Sequence, residues 1–498
     1  MTGGSLRGQE LPRHQFTVMP TPRHLARPED LLVPKQPESN TPHSRFRPLL
    51  QRGCAGAAIT LMLLLSGCGV RQDLMGGASK GLGEPKAPHR VVGFAVTPVP
   101  AATRAAQQIL NQGGNAADAA TAAGFALAVT LPSRAGLGGG GACLIDLPTP
   151  HGKAATTALM FLPAPGSVGG SRPAAVPMLA RGLIALQARY GKLPLATDLA
   201  PAETMAGGGV VVSRALAADL AVVGNAFLAD PAARAIFASP DGQILRAGAT
   251  LQQPDLATVL NRLQANGVLD FYQGRLAGRL TKAADLAGGG LSLADLRRAK
   301  PFYAKPIMVD QFGSSIALLP RPASGGVGAA AAIEALAHHP QDIQGAARIA
   351  RETAMAARAA STALPASAGF AVLDRLGGSV GCVTTMDNLF GTGRIATGTG
   401  IVLAASPAQI TPPLLTIGLA TQGARFRAIA VGSGQADAPM TVATGLYNAL
   451  HRPNAAPLAA PGPGRASVIG CAGGLPGAPK TCAATASQHG FGLALGTN

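Results

Sequence analysis

No spacing in this chain of 498 residues suits a metal ion. Its six cysteines include no Cys-x-x-Cys, and its nine histidines include no His-x-x-x-His or His-Glu pair. Structural zinc sites and zinc-hydrolase helices are built on such pairs, so neither a metal nor another cofactor is expected. Tryptophan is absent, and charged residues make up only 13% of the chain. Lys and Arg outnumber Asp and Glu by 41 to 24, a formal net charge of +17. The basic residues are nevertheless scattered and form no run of the kind that follows a phosphate backbone, so nucleic acid is not an expected partner. A GC-rich genome, which favours Ala, Gly, Arg and Pro, yields the same balance with no function attached.

What is present is apolar. Hydrophobic residues make up 47% of the chain, enough for a large core. Gly (65) and Pro (40) together are about a fifth of the residues, but the apolar content argues against global disorder. Residues 1–50 are rich in Pro, Arg and His without hydrophobic periodicity, and read as disordered or as an over-extended start. Residues 51–68 read as a lipoprotein signal peptide. The apolar run Ala55–Leu65 is too short to span a bilayer but has the length of a signal-peptide core, and it ends in Leu65-Ser66-Gly67-Cys68. That ending is similar to a bacterial lipobox, which predicts lipidation at Cys68, a tether over 69–88, and a periplasm-facing chain anchored to a membrane of the bacterial envelope. An oxidising compartment permits disulfides. Cys471 and Cys482 flank a Gly/Pro-rich stretch and are a possible pair, whereas Cys143 and Cys382 read as small buried hydrophobes.

The local pattern past the tether alternates strands and helices. Val91–Val96 reads as a strand, Thr103–Asn111 as a helix stopped by Gly113-Gly114, and Asn115 as the cap of an alanine-rich helix over Ala116–Val129. That helix is small and apolar on every face, which marks a buried helix packed close to a sheet. Four glycines, Gly138–Gly141, lead into a strand at Ala142–Leu147, where backbone or ligand must approach closely. Mostly helical sequence follows over Pro177–Val222 and Phe227–Leu286, with a further helix capped by Ser292. Ile307–Leu319 reads as a hairpin, and Phe370–Asp374, Val380–Thr385 and Phe426–Val431 as later strands. Pro457–Ala484 reads as a loop excursion. The order implies an α+β chain with helices outside stacked sheets.

Seven segments in order then resemble the gamma-glutamyltransferase family of N-terminal-nucleophile hydrolases. They are Gln112–Ala119, Gly136–Gly141, Arg189–Pro194 with Leu199–Ala202, Phe271–Gly274, Gly290–Leu296, Pro322–Val327 and Phe390–Gly393. The resemblance implies a four-layer αββα fold and a precursor that cuts itself once, here between Ala366 and Ser367. It divides the chain into a large-subunit-like region, 89–366, and a small-subunit-like region, 367–498. Ser367 stands where the family has its nucleophilic Thr. A freed N-terminal Ser keeps both the hydroxyl and the α-amine that serves as its base.

The resemblance also assigns Thr385 as the hydroxyl bonded to the nucleophile. It assigns Asp387, with neighbouring Asn388, to substrate binding, and Gly432-Ser433-Gly434 to the segment supplying oxyanion amides. Three positions depart from the family. Leu162 stands in place of the carboxylate-binding Arg, Ala404–Gln409 carries no acid where the family has an acidic pair, and Pro413–Thr416 keeps at most one hydroxyl. The implied activity is amide hydrolysis or acyl transfer on a small-molecule amide or peptide, γ-glutamyl compounds such as glutathione included. The lost charges also admit an amidohydrolase for a less polar substrate, or an inactive, membrane-tethered binding protein.

Overall fold

A computed structural model describes residues 93–147, 155–356, 367–411, 414–451 and 458–496. The signal peptide, Cys68, the tether, Ala366 and Pro413 lie outside the described residues. The chain opens with β1 (Gly93–Thr97), α1 (Pro100–Asn111), α2 (Ala116–Thr130), β2 (Gly140–Asp146) and β3 (Thr157–Phe161). A helical region includes α3 (Leu179–Tyr190) and α4 (Leu195–Gly208). Then come β4 (Phe302–Ala304), β5 (Ile307–Gln311), β6 (Ser314–Leu318), α5 (Gly325–His338) and α6 (Ile343–Ala356). The last part holds β7 (Ser367–Asp374), β8 (Ser379–Thr385), β9 (Thr416–Gln422), β10 (Arg425–Ser433), α7 (Ala438–His451), β11 (Arg465–Leu475), β12 (Cys482–Thr485) and β13 (Leu493–Leu495).

The strands named here form two large antiparallel sheets. The first runs β13-β1-β7-β8-β2-β3-β4 and the second β12-β11-β10-β9-β6-β5. Side-chain alternation sorts the core into three layers. Cys143, Phe370, Val372 and Cys382 point from the first sheet onto α2 and its neighbours. Ala371, Leu373 and Val383 point the other way, against Ile417, Ile429 and Val431 of the second sheet. The outer face of the second sheet packs on α5, α6 and α7 through Ile316, Ile333, Val442 and Leu446. The architecture is four-layer αββα.

Local chemistry explains how α2 is fixed. Asn115 accepts from the N–H groups of Ala117 and Asp118, and Asp118 accepts in return from Asn115 N–H, a reciprocal capping box. The Asp118 carboxylate also accepts from the N–H groups of Lys192 and Leu193, and the Asn115 side-chain amide donates to the carbonyl of Tyr190. The first and third segments of the sequence pattern are thus one polar joint. Every residue of α2 is buried. The N–H of Ala116 donates to Asp374, the last residue of β7, which ties the helix start to the strand that begins at Ser367.

Two sequence expectations are corrected. Pro457–Ala484 is not a loop throughout, because Arg465–Leu475 and Cys482–Thr485 extend the second sheet. Its small residues suit a strand packed tightly on β10 and α7, where a Cβ at Gly470 would press on Ala449. Cys143 and Cys382 are not free buried hydrophobes. They are register partners on β2 and β8 and form a disulfide. Cys471 and Cys482 face each other across β11 and β12 and are likewise bridged.

Candidate active site

The strand pair β7–β8 sets Ser367 directly opposite Thr385. Both share the parity of Ala371 and Val383, so both side chains face the gap between the sheets. The four-glycine run makes room beside them. A Cβ at Gly139 would collide with the carbonyl of Thr385, and one at Gly140 with that of Phe161. The Gly139 carbonyl in turn accepts from the N–H groups of Met178 and Leu179, which starts α3. These glycines permit backbone-to-backbone contact around the end of β8.

Ser367, Thr385 and Asp387 are each 1% exposed. The Thr385 hydroxyl accepts from the N–H of Asp387 at 2.8 Å. The Ser367 hydroxyl has no hydrogen-bond partner among the described residues, and neither carboxylate oxygen of Asp387 has one. An isolated carboxylate away from water favours its neutral form. Burial accordingly pushes the Asp387 carboxyl up to about 8, so it is protonated at neutral pH. Asp387 also adopts a left-handed backbone, φ 62°, which short polar side chains tolerate best.

Two cavities flank the pair. Thr385 and Asp387 border a cavity of about 360 Å³ whose walls include Met160, Leu162, Phe302 and Leu415. Pro407 and the exposed Lys300 complete its edge. The three segments that depart from the family pattern, at Leu162, Ala404–Gln409 and Pro413–Thr416, therefore all reach this one cavity, and each contributes an apolar side chain to it. The Ala405 N–H donates to the Met386 carbonyl, which seats that segment beside Asp387. Ser367 borders the other, smaller cavity with Thr97, Ser433 and Ser467. The Ser467 hydroxyl donates to the carbonyl of Gly369.

The remaining assigned residues fall elsewhere. Asn388 is half-buried, bonds the Gly391 carbonyl weakly at 3.5 Å and lines neither cavity. Gly432 packs against α7, where a Cβ would press on Ala438 and Val442, and Gly434 turns the chain at φ 112° against Gly464. Only Ser433 of that trio reaches the Ser367 cavity. Sequence reasoning missed Arg134 and Arg465, which line the same cavity. Arg134 lies beside the glycine run and was open to notice, but Arg465 sits in a stretch that reads as loop.

A family model described as gamma-glutamyltranspeptidase matches residues 102–354. The chain is 34% identical over 242 residues to a glutathione hydrolase proenzyme of Escherichia coli K12, covering 45% of this chain and 42% of that protein. It is 36% identical over 265 residues to the acylase ACY 1 proenzyme of Pseudomonas sp. strain V22, covering 47% of this chain and 46% of the relative. The match thus spans less than half the length of either curated relative, and the family-model match ends before Ser367. A cephalosporin acylase structure from Bacillus halodurans superposes with a TM-score of 0.65 at 20% identity, covering 83% of this chain and 98% of that one, which is a likeness of fold.

Proposed function

Because this chain belongs to the gamma-glutamyltranspeptidase family, we propose that it hydrolyses an amide or transfers its acyl group, using Ser367 freed by self-cleavage after Ala366. The carrying observation is the Ser367–Thr385 pair, with an unpartnered, buried Ser367 hydroxyl between the sheets. In the proposed cycle the new α-amine of Ser367 takes the hydroxyl proton and Oγ attacks the amide carbonyl. The C–N bond then breaks, the amine departs with the proton, and water or a second amine takes the acyl group from Oγ.

The acyl group in this reading is less polar than γ-glutamyl. A glutamyl head carries an ammonium and a carboxylate, and burying either without a partner costs several kcal/mol. Leu162, Pro407 and Leu415 supply no charge, Asp387 is neutral at pH 7, and Lys300 at the cavity edge is exposed to solvent rather than buried beside the acyl group. A straight or branched aliphatic acyl chain meets these walls at no such cost.

The test is a reducing denaturing gel of the expressed chain. Two bands separated at Ala366/Ser367 are expected, and Ser367→Ala should leave one uncut band. An uncut wild-type chain would sink the enzyme reading in favour of an inactive binding protein. In the cut protein, hexanoyl-p-nitroanilide should be turned over at least about tenfold faster than γ-glutamyl-p-nitroanilide, since a site lacking partners for buried polar groups discriminates strongly. The reverse preference would restore the γ-glutamyl reading. We further propose a lipid-anchored, periplasm-facing location through Cys68, supported by two disulfides that suit an oxidising compartment. Labelled palmitate should enter the wild type and not Cys68→Ser.

A further inference from the structure

The smaller cavity carries charge that the proposed cycle leaves unused. Arg134 and Arg465 both line it beside Ser367. Asp219 accepts from Arg134 through two nitrogens and from the Ser133 hydroxyl at 2.6 Å, so its carboxylate is already occupied. Arg465 uses its Nε on the carbonyl of His489 at 2.8 Å, and none of the ion pairs among the described residues includes it. Asp219 is thus spent on Arg134, and Arg465 has no carboxylate in an ion pair with it among the described residues. A third cation, Arg214, lies 5.0 Å from the ring of Phe491, which also lines the cavity. The hydroxyls of Ser433 and Ser487 also line it, whereas those of Thr97 and Ser467 already donate to the carbonyls of Val99 and Gly369. The space, about 50 Å³, holds a few water-sized groups rather than an acyl chain.

Resting on the reading of Ser367 as nucleophile, we propose that this cavity binds the carboxylate of the amine half of the substrate, with Arg465 as its main partner. The substrate is then an N-acylated amino acid. Its apolar acyl chain enters the Thr385–Asp387 cavity, its scissile amide lies at Ser367, and its free carboxylate meets Arg465. A planar guanidinium pairs with a carboxylate through two parallel hydrogen bonds. By reversal of the same step, an amino-acid acceptor enters the same subsite.

The experiment uses the full chain and three compounds: N-hexanoylglycine, N-hexanoylglycinamide and hexanoyl-p-nitroanilide. Wild type should favour the glycine over the glycinamide by roughly tenfold or more in kcat/KM, the range of one charge-assisted pair. Arg465→Gln should bring that ratio near one, and Arg465→Lys should keep part of it, with melting curves confirming that both variants fold. Equal use of glycine and glycinamide by wild type would overturn the subsite, while turnover of the anilide would leave the nucleophile reading intact. If none of the three compounds is turned over, that reading fails. Calorimetric binding of glycine against glycinamide then decides the subsite by the same ratio, equal affinities overturning it.

Discussion

Asp387, which the family resemblance assigns to substrate binding, is a carboxyl buried without a partner, and the consequence is measurable. Its carboxyl rises from 3.8 to about 8 because burial disfavours the charge and no donor offsets it. The folded state therefore holds a proton that the unfolded chain releases between about pH 4 and 8. Where the native state binds more protons than the unfolded state, stability falls as pH rises. Asp198 acts in the same direction, raised to about 8 by burial and then by the neighbouring Asp118 carboxylate. Asp387→Asn should thus leave stability near pH 4 almost unchanged and increase it at pH 8.5 by on the order of a few kcal/mol, seen as a higher melting temperature there. Melting curves of the two proteins across this range check it, and parallel profiles would refute the neutral buried acid. The residue type was legible in the sequence, but its isolation was not, because it depends on which neighbours the fold brings to the cavity.

Helix α2 and the glycine run show what local order can carry. Asn115 followed at the third position by Asp118 is a capping signal within four residues, and the alanine face announces burial. The structure adds that Asp118 also holds the turn at Lys192 and Leu193, a partnership no local window contains. The glycines after Leu137 are similar. Their presence signals close approach, but the object approached, the end of β8, is set by sheet pairing. Gly139→Ala would drive a methyl into the Thr385 carbonyl and the Met386 sulfur. The expected cost is about 1–3 kcal/mol of stability, the range for overpacked cores. Because Thr385 faces Ser367, the same variant should also accumulate uncut chain. Denaturant midpoints and the ratio of cut to uncut bands measure the two effects, and a fully cut, equally stable variant would contradict the packing.

At the scale of the molecule, the Cys143–Cys382 disulfide joins the two regions that self-cleavage would separate, linking residues 239 positions apart in the chain. The cut protein should migrate as one species without reductant and as two with it. Two bands without reductant would show that the bridge is absent. The second bridge, Cys471–Cys482, links residues 11 positions apart within the later region and does not alter this pattern. The sequence by itself determined the capped helix, the glycine approach, the order of strands and helices, and the family to which they belong, since these rest on signals a few residues long. The tertiary structure alone decided the Cys143–Cys382 pairing, the strand at Arg465–Leu475, and the separation of an apolar cavity beside Thr385 from an arginine-lined one beside Ser367. Each of those depends on the register of strands far apart in the chain. Because successive side chains face opposite sides of a sheet, a shift of one residue would have turned every one of them to the other face.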